Sequence, residues 1–341
     1  MTVWIVGSLN YHNDTIVKPI IAELKKRGVN HYWLEVSDYV ADGANVHVED
    51  QTENTINYWE ETSDIVGLPQ TVGEDKFCLS DGDSVLVLDF WNPMIFQLKF
   101  YVTRKKFDVK FFTIHHGSSH LPGDFASTPE FKWAKKFESA WIDCYTKIFF
   151  GSKNAYGMMP KDMDNGVVTY LPIDYIRETQ SHVICGIRNE DWVVMPLRLD
   201  ADKGAAEFFE IVERNPEFTF HCSRFHSNAD IPVRSNLIVH DEMNRVELFE
   251  LMSRCKYVLS CAKQETFGYG VLEAVSMGCE PVLIYSDENC YSEMYNQYFF
   301  KDPSLLSFKA LSDTIPIGTF LKEGLFKVSA QEKIVKEMLY P

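Results

Sequence analysis

The residues best equipped for chemistry lie between Gln264 and Val282, QETFGYGVLEAVSMGCEPV, where Glu265 and Glu273 have seven residues between them. Phe267, Gly268, Tyr269 and Gly270 stand beside the first carboxylate. Leu272, Ala274, Val275 and Met277 surround the second, and this spacing predicts a helix whose first turn lies near Gly270. Glu273 then sits close to the N-terminal end of that helix, where free N–H groups and the helix dipole attract a phosphate or a sugar oxygen. The glycine-rich turn before it lets a ligand approach the backbone. Gly278 and Pro281 end the helix, and the following Pro-Val-Leu-Ile-Tyr reads as a buried parallel strand.

Two further groups carry chemistry. Arg198-Leu199-x3-Lys203-Gly204 follows a strand, and in doubly wound sheets ligands bind beyond the carboxyl ends of the strands. Arg198 offers paired donors to a phosphate and Lys203 a compact charge, a pair suited to a diphosphate leaving group. His115-His116-Gly117 also follows a strand. Two imidazoles there could act as acid or base, ligate a metal, or serve as hydrogen-bonded loop residues, but carboxylate or cysteine partners for zinc are missing at short spacing.

Glu265-Thr-Phe267-Gly268-x4-Glu273-Ala274, followed by Gly278 and Pro281-Val282, resembles the donor-site signature of the retaining glycosyltransferases of family 4. The resemblance implies an α/β chain of GT-B fold, with two Rossmann-like doubly wound domains facing a central cleft. It implies that Glu265 lies beside the transferred sugar, that the Phe267-Gly268 turn holds sugar or phosphate, and that Glu273 holds the nucleotide's ribose. Tyr269 belongs to the same donor-binding stretch. The family's Gly-Arg-Leu-x3-Lys-Gly is matched at Arg198 to Gly204, with Leu197 where the first glycine would stand. His116-Gly117 matches the family's His-Gly beside the sugar, and His115 is kept as a second donor-side candidate. Gly7 stands where relatives carry paired glycines near the phosphates.

The elements that must position these residues are legible in order. Thr2–Val6 is a strand broken at Gly7, and a helix follows through Ile16, Ile20, Ile21 and Leu24. His31–Val36, Ser84–Phe90, Val109–Ile114 and Lys147–Phe150 read as further buried parallel strands, with an acidic insertion from about Asp38 to Asp83. In the second half, Trp192–Leu197, Thr219–Cys222, Leu237–Val239 and Tyr257–Ser260 are strands, and Ala205–Arg214 and Glu247–Cys255 helices. The predicted division is an acceptor-binding domain over 1–170, a linker over 171–189, a nucleotide-sugar domain over 190–328, and a helix over 329–341 crossing back to the first domain.

At 341 residues and 45% hydrophobic content the chain suits two domains. No apolar run is long enough to span a membrane, and the opening residues lack the basic start of a signal peptide. The eight cysteines show no Cys-x-x-Cys spacing and read as reduced thiols of a cytoplasmic protein. A net charge of −16 argues against a protein coated all over in nucleic acid or anionic lipid, yet residues 97–153 carry 10 Lys and Arg against 5 Asp and Glu. In that basic segment Lys105, Lys106, Lys135 and Lys136 bracket His116, and Glu130–Trp141 adds Phe131, Trp133, Phe137 and Trp141.

Together these imply a retaining, metal-independent glycosyltransferase that moves a sugar from a nucleotide sugar, a UDP-sugar first, to an acceptor hydroxyl. Arg198, Lys203 and helix N-termini stabilise the diphosphate, no metal cofactor is expected, and no Asp-x-Asp pair is credited with a place at a strand end. Acceptors consistent with the basic segment include a hydroxylated base in nucleic acid, as in DNA modification. A glycan, a lipid-linked sugar or a small molecule are the other candidates, and an epimerase, a hydrolase or a silent binding module on the same fold are the competing activities.

Overall fold

The computed structural model describes residues 1–6, 13–34, 71–72, 75–76, 79–92, 94–122, 124, 127–184, 186–224, 230–241, 243–295, 299–300, 306–308 and 329–341. The chain divides into two compact units, Met1–Pro172 with Val328–Pro341, and Ile173–Lys327.

The first unit is built on a parallel sheet of β1 (Val3–Val6), β2 (His31–Leu34), β5 (Ser84–Val87), β6 (Lys110–His115), β7 (Lys147–Phe150) and β8 (Gly166–Val168), in the order β2-β1-β5-β6-β7-β8. A separate hairpin pairs β3 (Thr71–Val72) with β4 (Asp75–Lys76). All four residues of β1 and of β5 are buried, as continuous apolar runs covered on both faces must be. Helices α1 (Lys18–Lys26), α2 (Met94–Lys105), α3 (Ala134–Ile142) and α4 (Lys153–Gly157) connect the strands. Between β1 and β2 the chain winds one way, and from β5 onward the other, so the order reverses at β1 and β5. The last helix of the chain, α10 (Ala330–Leu339), packs on α1, where Lys26 meets Glu332 at 3.4 Å.

The second unit repeats the plan. Strands β9 (Asn189–Met195), β10 (Thr219–Ser223), β11 (Leu237–His240), β12 (Cys255–Ser260), β13 (Glu280–Ile284) and β14 (Phe299–Phe300) form a parallel sheet in the order β11-β10-β9-β12-β13-β14. Its helices are α5 (Asp174–Gln180), α6 (Ala205–Arg214), α7 (Arg245–Arg254), α8 (Tyr269–Ser276) and α9 (Tyr291–Met294). Here the order reverses at β9 and β12. Phe208, Ile211, Phe220, Tyr257 and Phe308 are fully buried and form its aromatic and aliphatic core on one side of the sheet.

Strand and helix ends fall within a few residues of the sequence reading. Among the described residues, β3, β4, β8, β14 and helices α2, α4 and α9 were not foreseen, nor was helix α5, which lies inside the stretch read as linker. Gln180 Nε2 donates to Ser276 O at 2.8 Å, docking α5 on α8. Gly7 and the cysteines Cys78 and Cys185 lie outside the described residues; the six described cysteines are free and buried.

Candidate active site

In the second unit the strand order reverses at β9 and β12, the place beyond whose carboxyl ends doubly wound sheets bind ligands, and the loops leaving both strands bring the predicted residues together. The loop after β9 carries Arg198 and Lys203; the loop after β12 carries Glu265. Two glycines let the loops meet. Gly204 has φ 74°, and a Cβ there would stand 2.3 Å from Cys261 O. Gly270 faces Pro196, whose carbonyl oxygen would lie 2.8 Å from a Cβ.

Lys203 Nζ donates to Glu265 Oε2 at 3.1 Å and lies 3.5 Å from Asp202 Oδ2. Burial works against the ammonium, but the Glu265 and Asp202 carboxylates outweigh it, so its pKa is raised and Lys203 is a permanent cation. Arg198 is half exposed and paired with Asp200 at 3.0 Å and Asp202 at 3.7 Å. The Glu265 backbone is fixed from the other side: it bridges to Asn289 in parallel fashion, and Cys290 N donates to Glu265 O at 3.0 Å. The sequence reading credited no Asp-x-Asp pair, and this is corrected: Asp200-Ala201-Asp202 stands in the loop after β9, where Asp200 and Asp202 pair with Arg198 and Asp202 shares Lys203 with Glu265. Among the described residues no three His, Cys, Asp or Glu side chains are grouped to hold a metal ion.

Gly268 adopts the left-handed region, φ 73°, and starts α8. Phe267 is buried, so only its backbone can face a ligand; Tyr269 is partly exposed and meets Phe267 edge-on at 4.8 Å. Glu273, in the second turn of α8, is 4% exposed and accepts a 2.6 Å hydrogen bond from the Tyr175 hydroxyl. Burial pushes its carboxyl up to about 7, against the pull of the Tyr175 hydrogen bond and the Arg245 charge. The Arg245 guanidinium itself lies 5.0 Å from the Tyr175 ring centroid. Tyr175 and Arg245 were missed in the sequence; α5 lacks any motif and lies in the stretch read as linker.

In the first unit the two imidazoles separate. His115 closes β6 with its ring 4.6 Å from Phe150 and 5.4 Å from Phe90, is 1% exposed, and has no hydrogen-bond partner at either ring nitrogen among the described residues. Burial, with the His116 ring adding to it, lowers its pKa to about 3, so it is a neutral core residue that does not reach the surface. His116 is partly exposed; burial lowers its pKa, while Asp89 and a backbone hydrogen bond to Leu88 oppose the shift. The loop that follows is held from α3: Glu138, fully buried, accepts from Ser119 N at 2.6 Å, from Ser119 Oγ and from Trp91 Nε1 at 2.9 Å. His120 Nε2 is 3.6 Å from the same carboxylate.

The four lysines of the basic segment are not one patch. Lys105 ends α2 and Lys106 follows it, at the edge where β6 starts, whereas Lys135 and Lys136 begin α3, on the side where β6 ends at His115.

No protein-family model matches the sequence, and no curated protein matches it. Solved structures do. A UDP-forming α,α-trehalose-phosphate synthase from Burkholderia xenovorans superposes with a TM-score of 0.59 at 12% identity, covering 99% of this chain and 94% of that one. The apo form of the lipopolysaccharide outer core galactosyltransferase WaaB gives 0.54 at 11%, covering 92% and 88%. Sucrose-phosphate synthase from Thermosynechococcus elongatus gives 0.57 at 11%, covering 92% and 88%.

The fold is GT-B.

At this identity the likeness is one of architecture, and it places each unit of the chain in the Rossmann-like plan. Arg198, Lys203, Glu265 and Glu273 come from the segments around β9, β12 and α8, neighbours in the sheet order, and Gly204, Gly268 and Gly270 leave room where those segments approach closely.

Proposed function

We propose that the chain is a retaining, metal-independent glycosyltransferase taking its sugar from a nucleotide sugar, UDP-linked, and passing it to an acceptor hydroxyl. The observation that carries this reading is the convergence of Lys203, Arg198 and Glu265 beyond the ends of β9 and β12, next to the start of α8. Breaking an anomeric bond to a diphosphate builds negative charge on the phosphate as the sugar becomes oxocarbenium-like. Lys203, Arg198 and the open N–H groups of the first α8 turn stabilise that charge with fixed positive groups. In return the phosphate takes the place of Asp200 and Asp202 on Arg198. Glu265 accepts from the transferred sugar's hydroxyls and Glu273 from the ribose. With the departing phosphate as the base for the acceptor hydroxyl, attack comes from the leaving-group face and configuration is kept, so no carboxylate nucleophile is required.

A similar structure, of a trehalose-6-phosphate protein from E. coli, is bound with UDP-2-fluoro glucose (TM-score 0.59, 12% identity), which supports trying UDP-glucose first. For the acceptor we favour a hydroxylated base in nucleic acid, because the net-positive segment 97–153 sits in the first unit of an otherwise acidic chain. The test is incubation of UDP-sugars with and without an oligonucleotide carrying hydroxymethylated bases. The product's mass and the coupling constant of its anomeric proton are read by mass spectrometry and NMR. A sugar-bearing oligonucleotide with the donor's anomeric configuration is expected. An inverted product would remove the retaining mechanism, and free sugar alone would make the chain a hydrolase.

A further inference from the structure

Helix α3 turns an unusual face to solvent. Trp133, in the residue before the helix, is 47% exposed and Phe137, one turn on, is 50% exposed. Trp141 on the next turn is buried, so the helix does have an inward aromatic, and the outward pair is not a failure to find one. Lys132, Lys135 and Lys136 are all exposed around the pair. The acidic groups bounding this face are Glu130 before it and Asp143 after it, both exposed; Glu138 points inward. From residue 127 to 143 no Leu, Ile, Val or Met is exposed among the described residues.

The rings are not stacked on one another. Trp133 meets Phe137 at 5.3 Å and 84°, Trp91 at 6.1 Å and 70°, and Phe131 at 5.7 Å and 44°. Among the described residues these neighbours meet the Trp133 ring edge-on or tilted and none stacks on it face to face. The face is also coupled to the loop of His116. Glu138, on the inner side of α3, binds Ser119 through backbone and hydroxyl and binds the Trp91 indole, so Trp91 joins the loop, the carboxylate and Trp133 in one packed unit.

We propose that this face of α3 docks single-stranded nucleic acid, with Trp133 and Phe137 stacking on unpaired bases and Lys132, Lys135 and Lys136 contacting the phosphates. The proposal deepens the acceptor reading above and rests on it only for the consequence that a docked strand lies beside His116. Aromatic platforms interleaved with lysines suit unpaired bases, because each base offers a flat face and each nucleotide a charge. A membrane-docking helix needs an apolar face that continues over several turns, whereas the large apolar side chains turned outward on this helix are Trp133 and Phe137 and the next along, Trp141, is buried. The acidic remainder of the chain limits binding elsewhere.

The test uses the full chain and a short fluorescein-labelled oligothymidylate, read by fluorescence anisotropy over a range of salt. Binding is expected, weakened on the order of tenfold or more by Trp133→Ala. Replacing Lys132, Lys135 and Lys136 together by Gln should flatten the log–log salt dependence by about 2. Each variant's melting transition is recorded, and Phe137→Leu, which keeps bulk without a stacking face, provides a second variant should Trp133→Ala not fold. No oligonucleotide binding by the unaltered chain, or binding that neither aromatic change weakens, would overturn the proposal. So would binding to vesicles of equal parts phosphatidylcholine and phosphatidylglycerol with none to the oligonucleotide. Oligonucleotide binding needs no donor, so nucleotide-sugar turnover measured in parallel reports separately on the transferase reading.

Discussion

Replacing Glu273 by Gln should produce two effects of opposite sign. In the folded chain the carboxyl is held at about 7 against an ordinary 4.5, because it is buried. The folded state therefore keeps a proton that the unfolded chain releases, and stability contributed by this group is full below about pH 4.5 and is lost as pH rises toward 7. Two and a half units of pKa correspond to about 3 kcal/mol, an upper figure for the cost of carrying Glu273 as an anion in the empty site. Glutamine keeps an oxygen to accept from Tyr175 and carries no charge. The variant should thus melt several degrees higher than the unaltered protein at about pH 8, with the gap closing at about pH 5. Nucleotide binding should move the other way: the anion accepts from ribose hydroxyls, and its loss should weaken UDP by about 1.5–3 kcal/mol, roughly ten- to a hundredfold, at about pH 8 and little at about pH 5. UDP's own phosphate titrates near pH 6, so the ratio of the two proteins' affinities, measured by calorimetry, isolates Glu273. Tyr175→Phe removes a hydrogen bond that favours the anion and should raise the midpoint of that ratio by on the order of one unit. A variant that melts lower at pH 8, or an affinity ratio that ignores pH, would refute the reasoning.

Glu265→Ala should lower turnover roughly ten- to a hundredfold while leaving UDP affinity nearly intact, since its partner is read as the sugar; equal losses in kcat and UDP binding would contradict this assignment. EDTA should leave activity largely unchanged, because Arg198 and Lys203 carry the compensating charge; strict dependence on manganese or magnesium would assign Asp200 and Asp202 a metal-binding part instead. Gly204→Ala should destabilise the chain by about 1–3 kcal/mol in a denaturant melt, given the left-handed backbone and the carbonyl of Cys261 in the way of a Cβ, and an unchanged melt would contradict the close approach of the two loops.

The fold was largely readable because buried parallel strands leave uninterrupted apolar runs, and Val3–Val6, Lys147–Phe150 and the helix Ala205–Arg214 were placed to the residue or nearly so. Arg198, Lys203 and Glu265 could be grouped for another reason: each falls in a loop after a parallel strand, and such loops gather at the carboxyl ends of a doubly wound sheet. What escaped shares a physical cause. Gly166–Val168 and Phe299–Phe300 are too short to carry a period, and their place in the sheets is decided by neighbouring strands. Asp200 and Asp202 carry no local pattern, and it is the fold that brings Arg198 onto them. Tyr175 sits 98 positions from Glu273, and no local pattern announces a hydrogen bond across that distance. The two adjacent histidines could not be told apart by type: β6 ends at His115, whose ring enters the aromatic layer of Phe90 and Phe150, while His116 stands just beyond the strand and is partly exposed.

The central claim is tested most directly by release of nucleoside diphosphate from UDP-, GDP- and ADP-sugars by the purified chain, beside a Lys203→Met variant of matched melting temperature. The account predicts slow release of UDP from at least one UDP-sugar and its loss, by on the order of a hundredfold, when the Lys203 charge is removed. No release and no binding of any of these donors, or release that Lys203→Met leaves untouched, would contradict it.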